Sequence, residues 1–246
     1  MATDDAQPRS PNSFATTRWS IVISARNESS PKSRQALESL CLAYWQPLYV
    51  YARRRAADDS EAQDWTQAFF AELLEKDYLS AATPERGRFR AFLLTAFKHF
   101  LTKEWDKAKA QKRGGGSAPI SLDFQAVDSA LRIDPAAGLT AEQHFDKQWA
   151  LALLDRIMER LKAELEAAGK ADHFAVLKGF IIGDHVGTTY ADAAARLKIS
   201  EDAAKKAGSR LRSRYRQLLR EEIAQTVARP DEIDDEIRNL FAILRL

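Results

Sequence analysis

The sequence predicts an all-α protein of two small helical domains joined by a flexible linker, with an extra helix at the C-terminal end. Three observations predict it. Apolar residues recur three and four apart through long blocks, the period of a helix face. Alternating β-branched residues are nearly absent, so no strand pattern competes. Glycine and proline fall between the blocks and cut them into helix-sized pieces. The chain has 246 residues, 45% hydrophobic and 29% charged, which suits one large or two small domains with substantial cores.

In order, residues 1–15 are polar, lack the apolar core of a secretory signal, and read as a disordered tail. The first domain is expected over 16–113. It opens with an apolar-periodic block from Trp19 to Arg55, two helices broken near Ser29-Ser30-Pro31. Asp58-Asp59-Ser60 can cap the next helix, which runs through Asp64, Trp65, Phe69, Leu73 and Leu74. A connector with Pro84 and Gly87 leads to a long helix from Phe89 to about Ala110, stopped by Gly114-Gly115-Gly116. Residues 114–142 read as the linker, too long for a tight connection. The second domain, 143–225, holds helices at about Ala141–Ala168 and Ala171–Ile182, then a helix-turn-helix pattern. The remainder, 226–246, ends in an amphipathic helix with Ile233, Ile237, Leu240, Phe241 and Leu244 at helical spacing.

The helix-turn-helix pattern carries the most information. An alanine-rich helix, Tyr190 to Leu197, breaks at Lys198-Ile199-Ser200, and a second helix starts at Glu201-Asp202. With Ser200 as N-cap, Ala204, Ala207, Leu211, Tyr215 and Leu218 share a packing face. The alanines let the two helix backbones approach. Asp202, Lys206, Ser209 and Ser213 lie opposite, flanked by Lys205, Arg210 and Arg216. A basic helix so placed can enter the major groove, its early residues reaching base edges and later ones phosphates. Thr189, Asp202, Lys205, Lys206, Ser209, Arg210, Arg212, Ser213 and Arg216 are therefore the candidate duplex contacts.

Net charge is only +2, but its distribution is patterned. Lys98–Arg113 carries six Lys/Arg and two acids, 201–220 seven and two, and 231–246 two and five. In the first domain Phe89, Phe92, Phe97, Phe100 and Trp105 interleave with cations, a composition suited to unpaired bases and their backbone. Phe89, Leu93, Ala96 and Phe100 form a core stripe. Trp105 and the basic residues beyond Lys98 are the better contact candidates.

Other chemistry is sparse. Cys41 is a lone cysteine between Leu40 and Leu42, expected as a buried thiol, so neither a disulfide nor a cysteine-based zinc cluster is expected. His99, His144, His173 and His185 have no metal-ligand spacing. The glycine triplet precedes no Lys-Ser/Thr and is a hinge, not a phosphate loop. With no catalytic cluster, no enzyme activity, metal or cofactor is expected. No apolar run is long enough for a membrane span, and a cytoplasmic location is expected.

Several segments together resemble a known family. Glu61-Ala62-Gln63-Asp64-Trp65-Thr66-Gln67-Ala68-Phe69-Phe70, Leu37–Arg54, Phe89–Ala96, and Tyr190–Leu197 followed by Ile199-Ser200-Glu201 are similar to segments of sigma-70 family sigma factors of the extracytoplasmic-function (ECF) type. The resemblance covers about 16–113 and 143–225. It implies a first domain that binds the β′ clamp of core RNA polymerase and opens the −10 promoter element. It implies a second domain that reads the −35 element and contacts the β flap. Arg88, Arg90, Lys98, His99, Thr102, Lys103, Trp105, Lys109 and Arg113 then become −10 candidates, and Glu61, Asp64, Trp65 and Gln67 polymerase contacts. An anti-sigma factor and a Ser/Thr kinase are further candidate partners. The alternative is a standalone helix-turn-helix regulator that binds duplex DNA without polymerase.

The sequence departs from the family pattern at three places. Gln63 and Ala68 stand where glutamates are usual, and Thr66 lies in this depleted patch. Phosphorylation of Thr66 is expected to restore about −1.5 to −2 charges. Lys198 stands where the turn commonly has glycine, so either a left-handed residue carries modest strain there or the turn differs. The acidic end, 231–246, is either a packing helix or a built-in regulator whose acids compete with DNA for a basic surface.

Overall fold

The computed structural model describes residues 22, 25, 31–75, 78–83, 87–110, 138–182 and 188–245. Among these, all regular structure is helical. Helix α1 spans Pro31–Arg53 and α2 Asp59–Glu75; a 3₁₀ turn at Tyr78–Ala81 precedes α3, Phe89–Ala110. Then come α4 (Ala141–Ala167), α5 (Ala171–Leu177), the single turn α6 (Gly179–Ile182), α7 (Tyr190–Leu197) and α8 (Glu201–Ala224). A 3₁₀ turn at Pro230–Glu232 leads into α9, Ile233–Leu244. The single helix expected over Ala171–Ile182 is therefore divided at Lys178. The last helix starts later than expected: Asp231 and Glu232 belong to the 3₁₀ turn, leaving Asp234, Asp235 and Glu236 in the first turn of α9. The glycine triplet and most of the expected linker lie outside the described residues.

Local chemistry accounts for the ends. Asp58 accepts from the Glu61 N–H at 2.9 Å, and Glu61 reaches back to the Ala57 N–H at 2.7 Å, fixing the start of α2. Thr140 and Gln143 form a capping box at the start of α4. At the other end Gly169, with φ +68°, takes the left-handed position, and the Lys170 N–H closes on the Leu165 carbonyl at 2.8 Å.

The first core is aromatic. Tyr44, Tyr49 and Tyr51 on α1, Phe69 and Phe70 on α2, and Phe89, Phe97 and Phe100 on α3 are buried. The Phe69 ring meets Phe97 edge-on at 4.9 Å and Phe100 at 5.6 Å, the geometry the ring quadrupoles favour. Of the expected stripe, Phe89, Leu93 and Phe100 are buried and Ala96 is only partly so, while Phe97 joins it. Cys41 is buried as expected, and desolvation pushes its thiol up to about 12.

Helix α4 is the spine. Phe145, Trp149, Leu153, Ile157 and Leu161, four apart, are all buried. They let α4 pack on α1, α8 and α9. The contact of α1 with α4 is the most extensive between any two described helices. The two blocks therefore share one continuous core, where the sequence suggested separate ones.

The seam between α1, α3 and α4 is polar at its rim. Glu142 receives Lys98 Nζ at 2.7 Å, Arg55 Nη2 at 3.2 Å and the Tyr51 hydroxyl at 3.4 Å. The Lys98 bond comes first among the causes that hold the Glu142 carboxyl below its ordinary value. His144 faces Arg54 Nη2 at 2.5 Å, and burial, then Arg54, lowers its pKa.

Candidate nucleic-acid interface

The helix-turn-helix is built as its sequence requires. The Thr189 hydroxyl accepts from the Asp192 N–H at 3.2 Å, and Asp192 accepts from the Thr189 N–H at 2.8 Å and hydroxyl at 2.7 Å. These bonds hold the Asp192 carboxyl below its usual value. Thr189, a candidate DNA contact, is thus engaged in capping α7. Lys198 ends α7 in the left-handed region, φ 55° and ψ 43°, the first of the two alternatives open for this turn. Ser200 caps α8 by accepting from the Ala203 N–H at 3.2 Å.

On α8, Ala204, Gly208, Leu211, Tyr215, Leu218 and Leu219 are buried. Ala193 and Ala194 of α7 are buried too, but Ala195 is exposed. Gly208 leaves no room for a side chain: a Cβ there would lie 2.8 Å from the Tyr190 hydroxyl. Sequence reading missed Gly208, although a glycine on the packing face of a helix is a signal for such an approach.

The cations of α8 divide into two groups. Arg214 grips Glu164 of α4 with Nε and Nη2, both at 2.7 Å, and this pairing raises its pKa. Arg212 donates to the Tyr190 hydroxyl at 2.6 Å, Arg220 pairs with Asp234, and Lys205 pairs with Glu201 at 2.7 Å. Arg212 therefore braces the motif's own packing, a different task from the phosphate contact expected of it. Lys206, Arg210 and Arg216 stand exposed without an ion pair among the described residues, with Asp202, Ser209 and Ser213 exposed beside them.

In the first block the candidates separate differently. Arg90 is only 5% exposed. Its Nη1 bonds Glu236, its Nε lies 3.4 Å from Asp146 Oδ1, and its guanidinium covers the Trp149 ring at 4.0 Å. Arg88 Nη2 lies 2.5 Å from the other Glu236 oxygen. Lys98 is held by Glu142. These three −10 candidates are not presented to solvent as free cations. His99, Thr102 and Lys103 are exposed. Trp105 is 38% exposed and meets Trp65 edge-on at 5.9 Å. The Lys109 side chain and all of Arg113 fall outside the described residues.

Two expectations on α2 are corrected. Trp65 is buried against the core, so it is not a surface contact for polymerase. Thr66 is fully buried and its hydroxyl donates to the Ala62 carbonyl at 2.7 Å. Its place is four residues from both Ala62 and Phe70 on the inward face, which closes it to a kinase in this fold. Asp64 is exposed, and Glu61 and Gln67 are partly so.

Among the described residues no group of three His, Cys, Asp or Glu could hold a metal, and no helix is long and apolar enough to cross a membrane. Comparison with family models, characterised proteins and solved structures returns no match.

Proposed function

We propose that this chain is an ECF-type RNA polymerase sigma factor that directs promoter-specific transcription. The observation that carries the reading is the outward face of α8, where Lys206, Arg210 and Arg216 are exposed and make no ion pair among the described residues, with Asp202, Ser209 and Ser213 beside them. Such a face fits the major groove, its arginines and lysine reaching guanine edges or phosphates. A capped α7 and the Lys198–Ser200 turn set where α8 begins, and its buried face leaves the opposite one outward. The second support is the first block, where Lys103, His99 and Trp105 line one exposed stretch of α3. Rings beside cations suit melted strands. The ECF-like segments lie in family order along the chain, and the acidic start of α2 (Glu61, Asp64) suits a basic polymerase clamp.

The test mixes the full chain with bacterial core polymerase and genomic DNA and maps transcript starts. Binding to core enzyme and new, discrete start sites are expected. Tight binding to duplex operators with no polymerase capture would replace this reading with a standalone regulator. Lys206→Ala and Arg210→Ala are expected to weaken −35 recognition, with losses of about 1–3 kcal/mol where a side chain pairs bidentately with a base.

A further inference from the structure

The chemistry around Glu236 is not needed for packing. The carboxylate of Glu236 is 1% exposed and comes from a helix whose other acids, Asp234 and Asp235, pair at the surface with Arg220 and Arg238. An apolar side chain of the same volume would fill this place without the desolvation penalty of a buried charge. Instead Glu236 meets Arg90 with one oxygen and Arg88 with the other. Asn239, one turn further on, completes the arrangement. With its amide oxygen turned inward it accepts from Arg90 Nη2 at 3.0 Å and from Arg88 Nη1 at 3.1 Å. Asp146 of α4 takes the remaining edge of Arg90, and Trp149 covers its face.

A guanidinium recognises carboxylate and phosphate with the same planar fork. Arg88 and Arg90 sit at the start of α3, directly before the stretch that carries His99, Lys103 and Trp105. We propose that α9 is an intramolecular clamp: its Glu236 carboxylate occupies Arg88 and Arg90 in place of a nucleic-acid phosphate, and the free chain is thereby closed. The inference rests on the sigma-factor reading for the identity of the nucleic acid, but the clamp is a property of the free chain. Engagement of melted DNA by the first block then requires α9 to leave these arginines. Helix α9 also touches α8 through Asp234 and Arg220, so it ties both DNA-facing elements to one segment.

The test uses the full chain and a fluorescent forked DNA, duplex with a single-stranded arm, read by anisotropy at fixed salt. Glu236→Gln keeps the shape and removes the charge; it is expected to tighten binding at least tenfold. Asn239→Asp adds a second carboxylate against both arginines; it is expected to weaken binding at least threefold. Asp235→Asn changes net charge by the same amount as Glu236→Gln but touches neither arginine, and is expected to stay within twofold of wild type. A spin-label pair at Ala91 and Ala242, both exposed, reports the distance between α3 and α9. That distance is expected to lengthen in Glu236→Gln and on addition of the DNA.

A folded Glu236→Gln chain that binds no tighter than Asp235→Asn, with an unchanged distance, overturns the clamp. If Glu236→Gln does not melt cooperatively, Asn239→Asp decides: affinity equal to wild type overturns the proposal. Failure of the sigma reading looks different. There, core polymerase is not captured, yet the α3–α9 distance still responds to Glu236→Gln.

Discussion

Gly208 offers a test whose sign alone decides. In an ordinary mid-helix position, glycine to alanine stabilises by about 1 kcal/mol through backbone entropy. On α8 the new Cβ would stand 2.8 Å from the Tyr190 hydroxyl and 2.9 Å from its Cε1, inside any normal contact. The ring cannot yield cheaply. It stacks on Phe180 at 4.3 Å, and its hydroxyl accepts from Arg212 at 2.6 Å. Overpacking of this kind costs about 1–3 kcal/mol, and loss of the hydroxyl's bond about 0.5–1.5 kcal/mol more where the ring is displaced. After subtracting the helix gain, Gly208→Ala is expected to destabilise by about 0.5–3.5 kcal/mol. For a chain of this length that corresponds to a fall in Tm of roughly 1–14 °C. The assay is thermal and urea unfolding followed by circular dichroism, with a double-mutant cycle against Tyr190→Ala. On the Tyr190→Ala background the same substitution is expected to stabilise by about 1 kcal/mol. A rise in Tm on the wild-type background would refute the close approach of α7 and α8.

Lys198→Gly removes a side chain from the left-handed region and is expected to raise stability by about 1 kcal/mol, read as a shift in the urea midpoint with unchanged slope. Cys41, its thiol held up at about 12, is expected to resist a thiol reagent in the native chain at pH 8 and to react at once in urea. His144 has a lowered folded pKa, so the unfolded chain binds its proton more readily; the stability this histidine contributes is full above about 6.5 and is lost as pH falls from there through the folded value. Urea unfolding between pH 5 and 8 is expected to show that slope, and His144→Gln to flatten it.

Much of the fold was legible because its signals are local. The start of α3, both ends of α4, the Ser200 cap and the burial of Phe89, Leu93 and Phe100 all follow from residues within a turn or two of each other. The burial of Thr66 and Trp65 is encoded in the helical period: 62, 66 and 70 form one inward line, and 65, 69 and 73 another. The state of each cation was not legible. Arg214 is held by a glutamate 50 residues away and Arg90 by one 146 residues away, and no periodicity encodes such a partner. The joining of the two blocks through α4 was hidden for the same reason: its apolar stripe reads identically whichever helices it packs against.

That distinction between free and engaged cations has a measurable consequence at the reader helix. Residues 201–220 carry seven Lys/Arg, and a count by composition would give them all to DNA. Each phosphate neutralised contributes about 0.9 to the slope of log affinity against log salt, so seven contacts imply a contribution near 6. The structure leaves Lys206, Arg210 and Arg216 clear, while Glu164, Tyr190, Asp234 and Glu201 occupy the other four. Three contacts imply roughly 2.7. Replacing Lys206, Arg210 and Arg216 by alanine is therefore expected to remove about 2.7 from the duplex-binding slope. Arg214→Ala is expected to leave the slope unchanged and to lower the melting temperature, since it breaks a bidentate pair between α8 and α4. A slope that falls by about 0.9 in Arg214→Ala would mean that Glu164 yields its arginine to phosphate, and the division of α8 into a bracing set and a binding set would not hold.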